Sequence, residues 1–138
     1  MLKKILFTLT LLGALAATLA TAQVKQGKTR PARTSQLMKG AIKPSCDAIK
    51  KAVEVAPADD KAWKALSSSA GVINEMSYAL MEDGRSPDDK WAGADKTMQD
   101  GSAALLKAIE SKDHAALKSA FGKTMQSCKA CHDAHKEH

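Results

Sequence analysis

Three residues near the C-terminus, Cys128, Cys131 and His132, have the types and the spacing of a c-type haem attachment motif, C-x-x-C-H. Two thiols at this spacing can form thioethers with the two vinyl groups of one porphyrin. The imidazole directly after the second cysteine can then bind the iron as the proximal ligand. On a helix the three side chains share one face, because they stand at positions i, i+3 and i+4. The spacing therefore predicts one covalently bound haem c.

Two other chemistries use the same residue types and fit this sequence less well. A zinc site would need a fourth ligand, usually from a second C-x-x-C or an H-x-x-x-H pair, which the sequence lacks. A thioredoxin-like redox pair stands early in a βαβ pattern, whereas Cys128 and Cys131 lie in the last turns of a helical tail. Haem attachment is therefore the preferred interpretation.

Residues 1–22 have the composition of a cleaved signal peptide. Lys3 and Lys4 precede an apolar run over residues 5–19, and residues 20–22 form an A-x-A cleavage site. The run is short for a membrane span, so we expect cleavage and no stable membrane insertion afterwards. An uncleaved N-terminal anchor is the alternative. The expected location is the bacterial periplasm, which agrees with the motif because such haem attachment takes place on the exported side.

The charge of the mature chain indicates the kind of partner it would meet. Because Lys3 and Lys4 leave with the signal peptide, 19 of the 21 Lys and Arg residues remain against 15 Asp and Glu residues, a net charge of about +4. The charges are interspersed and aromatic residues are few, which argues against nucleic acid. A modest positive surface is compatible with transient redox protein partners that are acidic. Lysines such as Lys123, Lys129 and Lys136 could serve there.

The remainder of the chain has helical spacing and no strand alternation. Residues 23–33 read as a flexible lead-in, and residues 34–138 as one domain. The first helix has Thr34 or Ser35 as its predicted N-cap and contains Pro44, which should kink or split it. The second helix opens at Asp59–Asp60. The third has Ser86 as its predicted cap, and the fourth begins at about His114.

Short connections make successive helices antiparallel neighbours, so the predicted fold is all-α, an up-down-up-down four-helix bundle with a C-terminal haem-attachment helix. In this topology the end of the fourth helix lies beside the start of the first, the end of the second and the start of the third. The residues expected near the haem are Leu37, Met38, Ala41, Met76, Leu80, Met81 and Trp91.

The topology limits which residue could bind the iron opposite His132. His114 stands 18 residues earlier, roughly 27 Å along the helix, and His135 and His138 share the proximal helix. We therefore do not expect a histidine of this chain as the second ligand. Met38 is the best-placed methionine, and its sulfur would give a low-spin iron with a raised potential. The alternative is that Met38 only packs in the core, as methionine at helical spacing usually does, and that the iron is five-coordinate.

Cys46 is left over once two of the three cysteines are assigned to haem. In an oxidising compartment a lone cysteine is either buried as a small apolar residue or paired between chains. Burial is slightly favoured, and a disulfide-linked homodimer is the alternative.

The chain resembles class II cytochromes c, that is, the cytochrome c′ family and its low-spin, methionine-ligated relatives. The resemblance is carried by Trp91 at the start of the third helix and by two segments of the fourth, residues 120–122 (Ala-Phe-Gly) and 126–134 (Gln-Ser-Cys-Lys-Ala-Cys-His-Asp-Ala). It implies thioethers through Cys128 and Cys131, His132 as proximal ligand, and a side chain of the first helix over the distal face.

The resemblance also implies a propionate contact from an arginine near the start of the first helix, for which Arg33 is the candidate. Leu37 and Met38 stand four and five residues after Arg33, so either could occupy the distal position. Four residues after His132 the family typically has arginine, and here it is Lys136, which lacks the planar fork of a guanidinium.

The sequence favours a periplasmic carrier of single electrons, with His132 as the proximal ligand and Met38 as the distal one. The alternative is a five-coordinate, cytochrome c′-like protein that binds NO or CO. We do not expect an enzyme, because no second histidine or arginine is placed on the distal face to assist O–O cleavage.

Overall fold

The computed structural model describes residues 27–135, and the predictions for the signal peptide, the first part of the lead-in, Lys136 and His138 lie outside those residues. Within this range every regular element is a helix. Helix α1 has three parts: an α-helical turn Thr34–Leu37, a π-helical stretch Met38–Ile42 and an α-helical part Lys43–Glu54. Helices α2, α3 and α4 span Asp60–Met81, Asp89–Glu110 and His114–His135.

Contacts between helix ends establish the topology. Each helix packs on the next along the chain, and α1 also contacts α4. Four polar contacts join the end of one helix to the start of an antiparallel neighbour: Arg85 Nη2 to Ala32 O (3.0 Å), Lys112 Nζ to Asp60 Oδ1 (2.7 Å), His114 Nε2 to Ala52 O (2.9 Å) and His135 Nε2 to Asp88 Oδ1 (3.3 Å). The predicted up-down-up-down four-helix bundle is confirmed.

An aspartate carboxylate caps the start of each of the last three helices by accepting a hydrogen bond from a backbone N–H of the first turn that has no partner within the helix. Asp59 accepts from Ala62 N at 2.7 Å, and Asp113 accepts from Ala116 N at 2.9 Å. At α3 the cap is Asp88, which accepts from the backbone N–H of Trp91 at 3.0 Å, so the prediction of Ser86 as cap is wrong. The extended backbone of Asp88 lets its short carboxylate reach the first turn.

The buried stripes of α2 and α3 follow the predicted spacing. The residues buried on these two helices include Trp63, Leu66, Ala70, Ile73, Ser77, Leu80, Trp91, Ala94, Met98, Gly101, Leu105, Ala108 and Ile109. Ala104, also predicted to lie inside, is only partly buried. On α4 the buried residues include Leu117, Phe121, Thr124 and Cys131. The helices approach closely where a glycine allows it.

At Gly101 of α3 the backbone of α4 approaches closely. A Cβ added there would lie 2.6 Å from Thr124 Oγ1 and 3.0 Å from Thr124 N. We therefore expect Gly101→Ala to push the helices apart and to lower the free energy of unfolding by about 1–3 kcal/mol in thermal or urea unfolding. Gly93→Ala is the matched control on α3, because nothing lies within 4 Å of its Cβ. It should instead stabilise by roughly 0.5–1 kcal/mol.

Pro44 distorts α1 through a π-helical stretch rather than by breaking it. The backbone N–H of Lys43 donates to Met38 O, the i to i−5 bond of a π-helix. The proline ring would clash with the Gly40 carbonyl in a regular α-helix, and the wider π turn relieves this. The extra residue shifts the inner stripe by one position, and Thr34 and Ile42 are both buried on it. Leu37 and Met38 lie between them, both partly buried against the core.

None of the helices within residues 27–135 combines the length and the apolar character needed to cross a membrane.

Candidate cofactor site

Cys128, Cys131 and His132 lie in the last two turns of α4. Cys131 is buried, with 8% of its surface exposed, and it belongs to the hydrophobic core. Cys128 is partly buried and His132 is exposed. The α-helical backbone carries through residue 135, so the three side chains keep the i, i+3, i+4 relation that the motif requires.

Both motif thiols have a raised pKa. Burial, followed by the nearby Asp95 and Cys128, raises the pKa of Cys131 to about 11. Burial also raises the pKa of Cys128. A reactive redox or catalytic cysteine has a depressed pKa, so these thiols lack the character of a thioredoxin-like pair. Among residues 27–135, no three His, Cys, Asp or Glu side chains cluster as metal ligands.

Trp91 forms one wall of this end of the bundle. Its ring is buried, and its indole N–H donates to the carbonyl oxygen of Leu80 at 3.0 Å, which ties the start of α3 to the end of α2. His135 of α4 packs against Trp91 edge to face, with ring centroids 5.4 Å apart. These direct contacts show that α2, α3 and the motif helix converge at this end of the bundle, as the topology predicts.

Asp95 is a buried acid that the sequence analysis did not single out. Only 4% of its surface is exposed, and its Oδ2 has no hydrogen-bond partner. Burial raises the pKa of Asp95 to about 7, and the Trp91 side chain, whose indole N–H is directed at Leu80 O, opposes this only in part. Asp95 is close enough to both motif cysteines to raise the pKa of Cys128 and of Cys131. The charge of Asp95 thus acts on both cysteines of the haem-attachment motif.

The lead-in is tied to the loop between α2 and α3. The carboxylate of Asp83 accepts from Thr29 N, Thr29 Oγ1 and Arg30 N at 2.8–2.9 Å. Desolvation acts to raise the pKa of Asp83, but these hydrogen bonds and the charge of Arg85 together lower it. Lys28 N donates to the Asp83 carbonyl oxygen at 2.8 Å. The approach is so close that a Cβ on Gly27 would lie 1.9 Å from Asp83 Oδ2. Residues 27–30 thus have specific partners in the bundle, which their composition does not indicate.

The residues considered for the distal side lie on the first turns of α1. Ala52 of α1 contacts His114 of α4, and these two helices are antiparallel. Met38 and Cys128 stand equally many residues away from that contact, so they lie at about the same level of the bundle. Leu37 and Met38 both pack against the core. Arg33, the candidate for a propionate, caps α1 and is exposed. His114 lies at the other end of the bundle.

Cys46 is partly buried on α1 and packs against the hydrophobic core. Burial raises its pKa to about 12, with smaller contributions from Cys128 and Asp47. These features support the interpretation of Cys46 as a small apolar residue. The disulfide-linked homodimer stays a prediction that non-reducing electrophoresis of the purified protein would test.

A model of one protein family, described as "Cytochrome C'", matches residues 32–136. The chain belongs to the cytochrome c′ family. Among solved structures it is similar to a ferrous variant of cytochrome c prime from Alcaligenes xylosoxidans with bound NO. The two chains are 22% identical, the match covers 75% of this chain and 94% of the other, and the TM-score is 0.54. Among curated proteins none matches significantly.

Membership of the cytochrome c′ family means that the protein binds covalently attached haem c, which confirms the cofactor predicted from the motif. The described residues fit that group. Two cysteines and a histidine share the end of α4, and a buried guanidinium at the same end of the bundle, that of Arg85, has nitrogen atoms without hydrogen-bond partners. A depression of about 400 Å³ between α2 and α3, lined by Trp63 and Ile109 among others, lies at the opposite end.

Proposed function

We propose that this cytochrome c′ family member is a periplasmic electron carrier in which His132 and Met38 hold the haem iron from opposite sides. Cys128 and Cys131 would attach the porphyrin. Haem bound there would supply one-electron exchange between Fe(II) and Fe(III), and Met38 as its second protein ligand would favour a low-spin iron. The protein's contribution is to hold the two ligands on packed helices, so that little rearrangement accompanies electron transfer.

The placement of Met38 is the observation that carries this proposal. The side chain is partly buried against the core, and by helix register it is level with Cys128. The next part of the same helix, Lys43–Glu54, packs against α4. The π-helical stretch begins at Met38 itself, and π-helical turns are frequent at functional sites. Because the packed helix fixes the backbone of Met38, only its flexible side chain has to be oriented to reach an iron.

The second candidate function is binding of NO or CO at a five-coordinate iron. Two observations favour it: the similar solved cytochrome c prime holds NO, and Leu37 shares the inner side of α1 with Met38. In that case Leu37 and Met38 would form an apolar cover over an open coordination position. Neither side chain carries a hydrogen-bond donor or a titratable proton, so we propose no enzymatic role for the site.

The matched variants Met38→Ala and Leu37→Ala separate these two functions. If Met38 binds the iron, the reduced wild-type protein should bind CO weakly, and Met38→Ala should raise the CO affinity at least tenfold because the sixth position becomes open. Leu37→Ala removes a similar apolar volume and should leave CO binding near the wild-type level. Strong CO binding by the wild type that Met38→Ala does not increase would support the gas-binding alternative.

The surface at the motif end is compatible with a transient acidic partner. Lys129 is exposed beside the motif, although its Nζ is paired with Asp133. Lys123 lies 4.0 Å from Asp100. Exposed pairs of this kind hold little energy, so a partner's carboxylates could replace them. We expect the rate of electron transfer to such a partner to fall as ionic strength rises.

A further inference from the structure

Arg85 is the most deeply buried charged side chain among residues 27–135, with 1% of its surface exposed. It lies in the loop that joins α2 to α3. A guanidinium is always protonated, so this loop holds a full positive charge away from water. A buried charge of this kind requires an anionic partner and acceptors for its N–H groups.

The described residues satisfy only part of that requirement. Nη2 of Arg85 donates to the Ala32 carbonyl oxygen at 3.0 Å, but Nε and Nη1 have no hydrogen-bond partner. The nearest carboxylate is that of Asp83, whose Oδ2 lies 3.7 Å from Nη1, beyond hydrogen-bond distance. Asp83 already accepts from Thr29 and Arg30, so its oxygens are directed at the lead-in instead. Arg85 is thus anchored through Nη2, and its other two nitrogens are buried donors without an acceptor.

The position of Arg85 in the bundle relates these donors to the haem. Ala32 directly precedes the first helix, and the loop of Arg85 leads to Asp88 and Trp91, both of which His135 of α4 contacts. Arg85 therefore shares the end of the bundle at which the attachment motif lies. The vinyl groups and the propionates stand on opposite edges of a porphyrin, so a propionate partner has to come from an element other than the motif helix.

We propose that Arg85 is the residue that binds a haem propionate in this protein. The propionate carboxylate would accept hydrogen bonds from Nε or Nη1, while Nη2 stays on Ala32 and fixes the guanidinium. Arg33, to which the family resemblance assigns this contact, is exposed at the start of α1. Arg85 is thus a positioning residue for the cofactor, and its charge also acts on the iron: a buried cation disfavours Fe(III) and raises the midpoint potential.

The test compares haem-loaded Arg85→Gln with Arg33→Gln. Resonance Raman spectra report the propionate bending band, and a redox titration gives the midpoint potential. Arg85→Gln should shift the band and lower the potential, Arg85→Lys should restore the potential in part, and Arg33→Gln should change neither. An Arg85→Gln protein that loses only thermal stability, with band and potential as in the wild type, would show that Arg85 merely joins the loop to α1. A band shift in Arg33→Gln instead would overturn the assignment.

A measurement on the unaltered protein covers the case in which Arg85→Gln does not fold. With ¹⁵N-labelled arginine, the wild-type holoprotein should show one Arg Nε–H that exchanges slowly with solvent and has a nuclear Overhauser effect to the propionate methylene protons. Absence of that effect would overturn the proposal. The inference rests on the haem alone, so a failure of Met38 ligation would leave the propionate band and this effect unchanged.

Discussion

Replacing Cys128 and Cys131 together by alanine is expected to abolish covalent haem attachment. The two thioethers are the bonds that survive denaturation, and the C-x-x-C-H spacing brings both sulfurs and the His132 imidazole to one helical face. After expression in a host with a haem c maturation system, a denaturing gel stained for haem should show a band for the wild type and none for the double variant. Each single variant should keep at most a small fraction of the wild-type staining.

Cys46→Ser is the matched control for that experiment. It removes the third cysteine, which is also partly buried and also has a raised pKa, but which lies outside the motif on α1. We expect haem staining equal to the wild type. Loss of staining in Cys46→Ser, or full staining of the double variant, would contradict the assignment of Cys128 and Cys131 to the porphyrin.

Asp95→Asn is expected to stabilise the folded protein at neutral pH. Burial raises the pKa of Asp95 from 3.8 to about 7, so the folded state holds a proton that the unfolded state releases. Stability from this group is therefore complete at acidic pH and is lost as the pH rises from about 4 to about 7. About three pKa units at about 1.4 kcal/mol each correspond to a loss of up to about 4 kcal/mol. An asparagine cannot ionise, so the Asp95→Asn protein would avoid this loss of stability.

Urea unfolding of the haem-loaded protein at a series of pH values checks this. The wild type should lose stability across that range, and Asp95→Asn should not. Asp100→Asn is the control on the same helix, because Asp100 is exposed and its pKa is lowered, chiefly by its hydrogen bond from Lys96. That variant should be equal to the wild type or slightly less stable. Parallel pH profiles for wild type and Asp95→Asn would contradict a protonated, buried Asp95.

The architecture of α2 and α3 could be predicted from the sequence because their buried residues recur at helical spacing without exception, from Trp63 to Leu80 and from Trp91 to Ile109. From Pro44 the sequence predicts that α1 is distorted, but not which distortion occurs. Whether a proline kinks a helix, splits it or induces a π-helical turn depends on the neighbouring helix against which it packs, and that is a tertiary effect. The cap at Asp88 was missed because serine, proline and two aspartates in a row offer several competing helix starts.

The candidate site divides in the same way. Cys128, Cys131 and His132 form a local motif whose spacing alone indicates the chemistry, and the haem c that it predicts is confirmed by the family. Arg85 and Asp95 carry no such signal, because charged residues are ordinarily exposed and only the packed bundle buries these two. The one hint was position: Asp95 stands one helical turn after Trp91, on a face that the topology directs towards the motif.

The spin state of the purified ferric protein tests the central claim, that His132 and Met38 both bind the iron. Electron paramagnetic resonance at neutral pH should show a low-spin signal for the wild type, and Met38→Ala should convert it to a high-spin signal. Leu37→Ala should keep the low-spin signal. A wild-type protein that is already high-spin, and that Met38→Ala leaves unchanged, would contradict methionine ligation and with it the electron-carrier proposal.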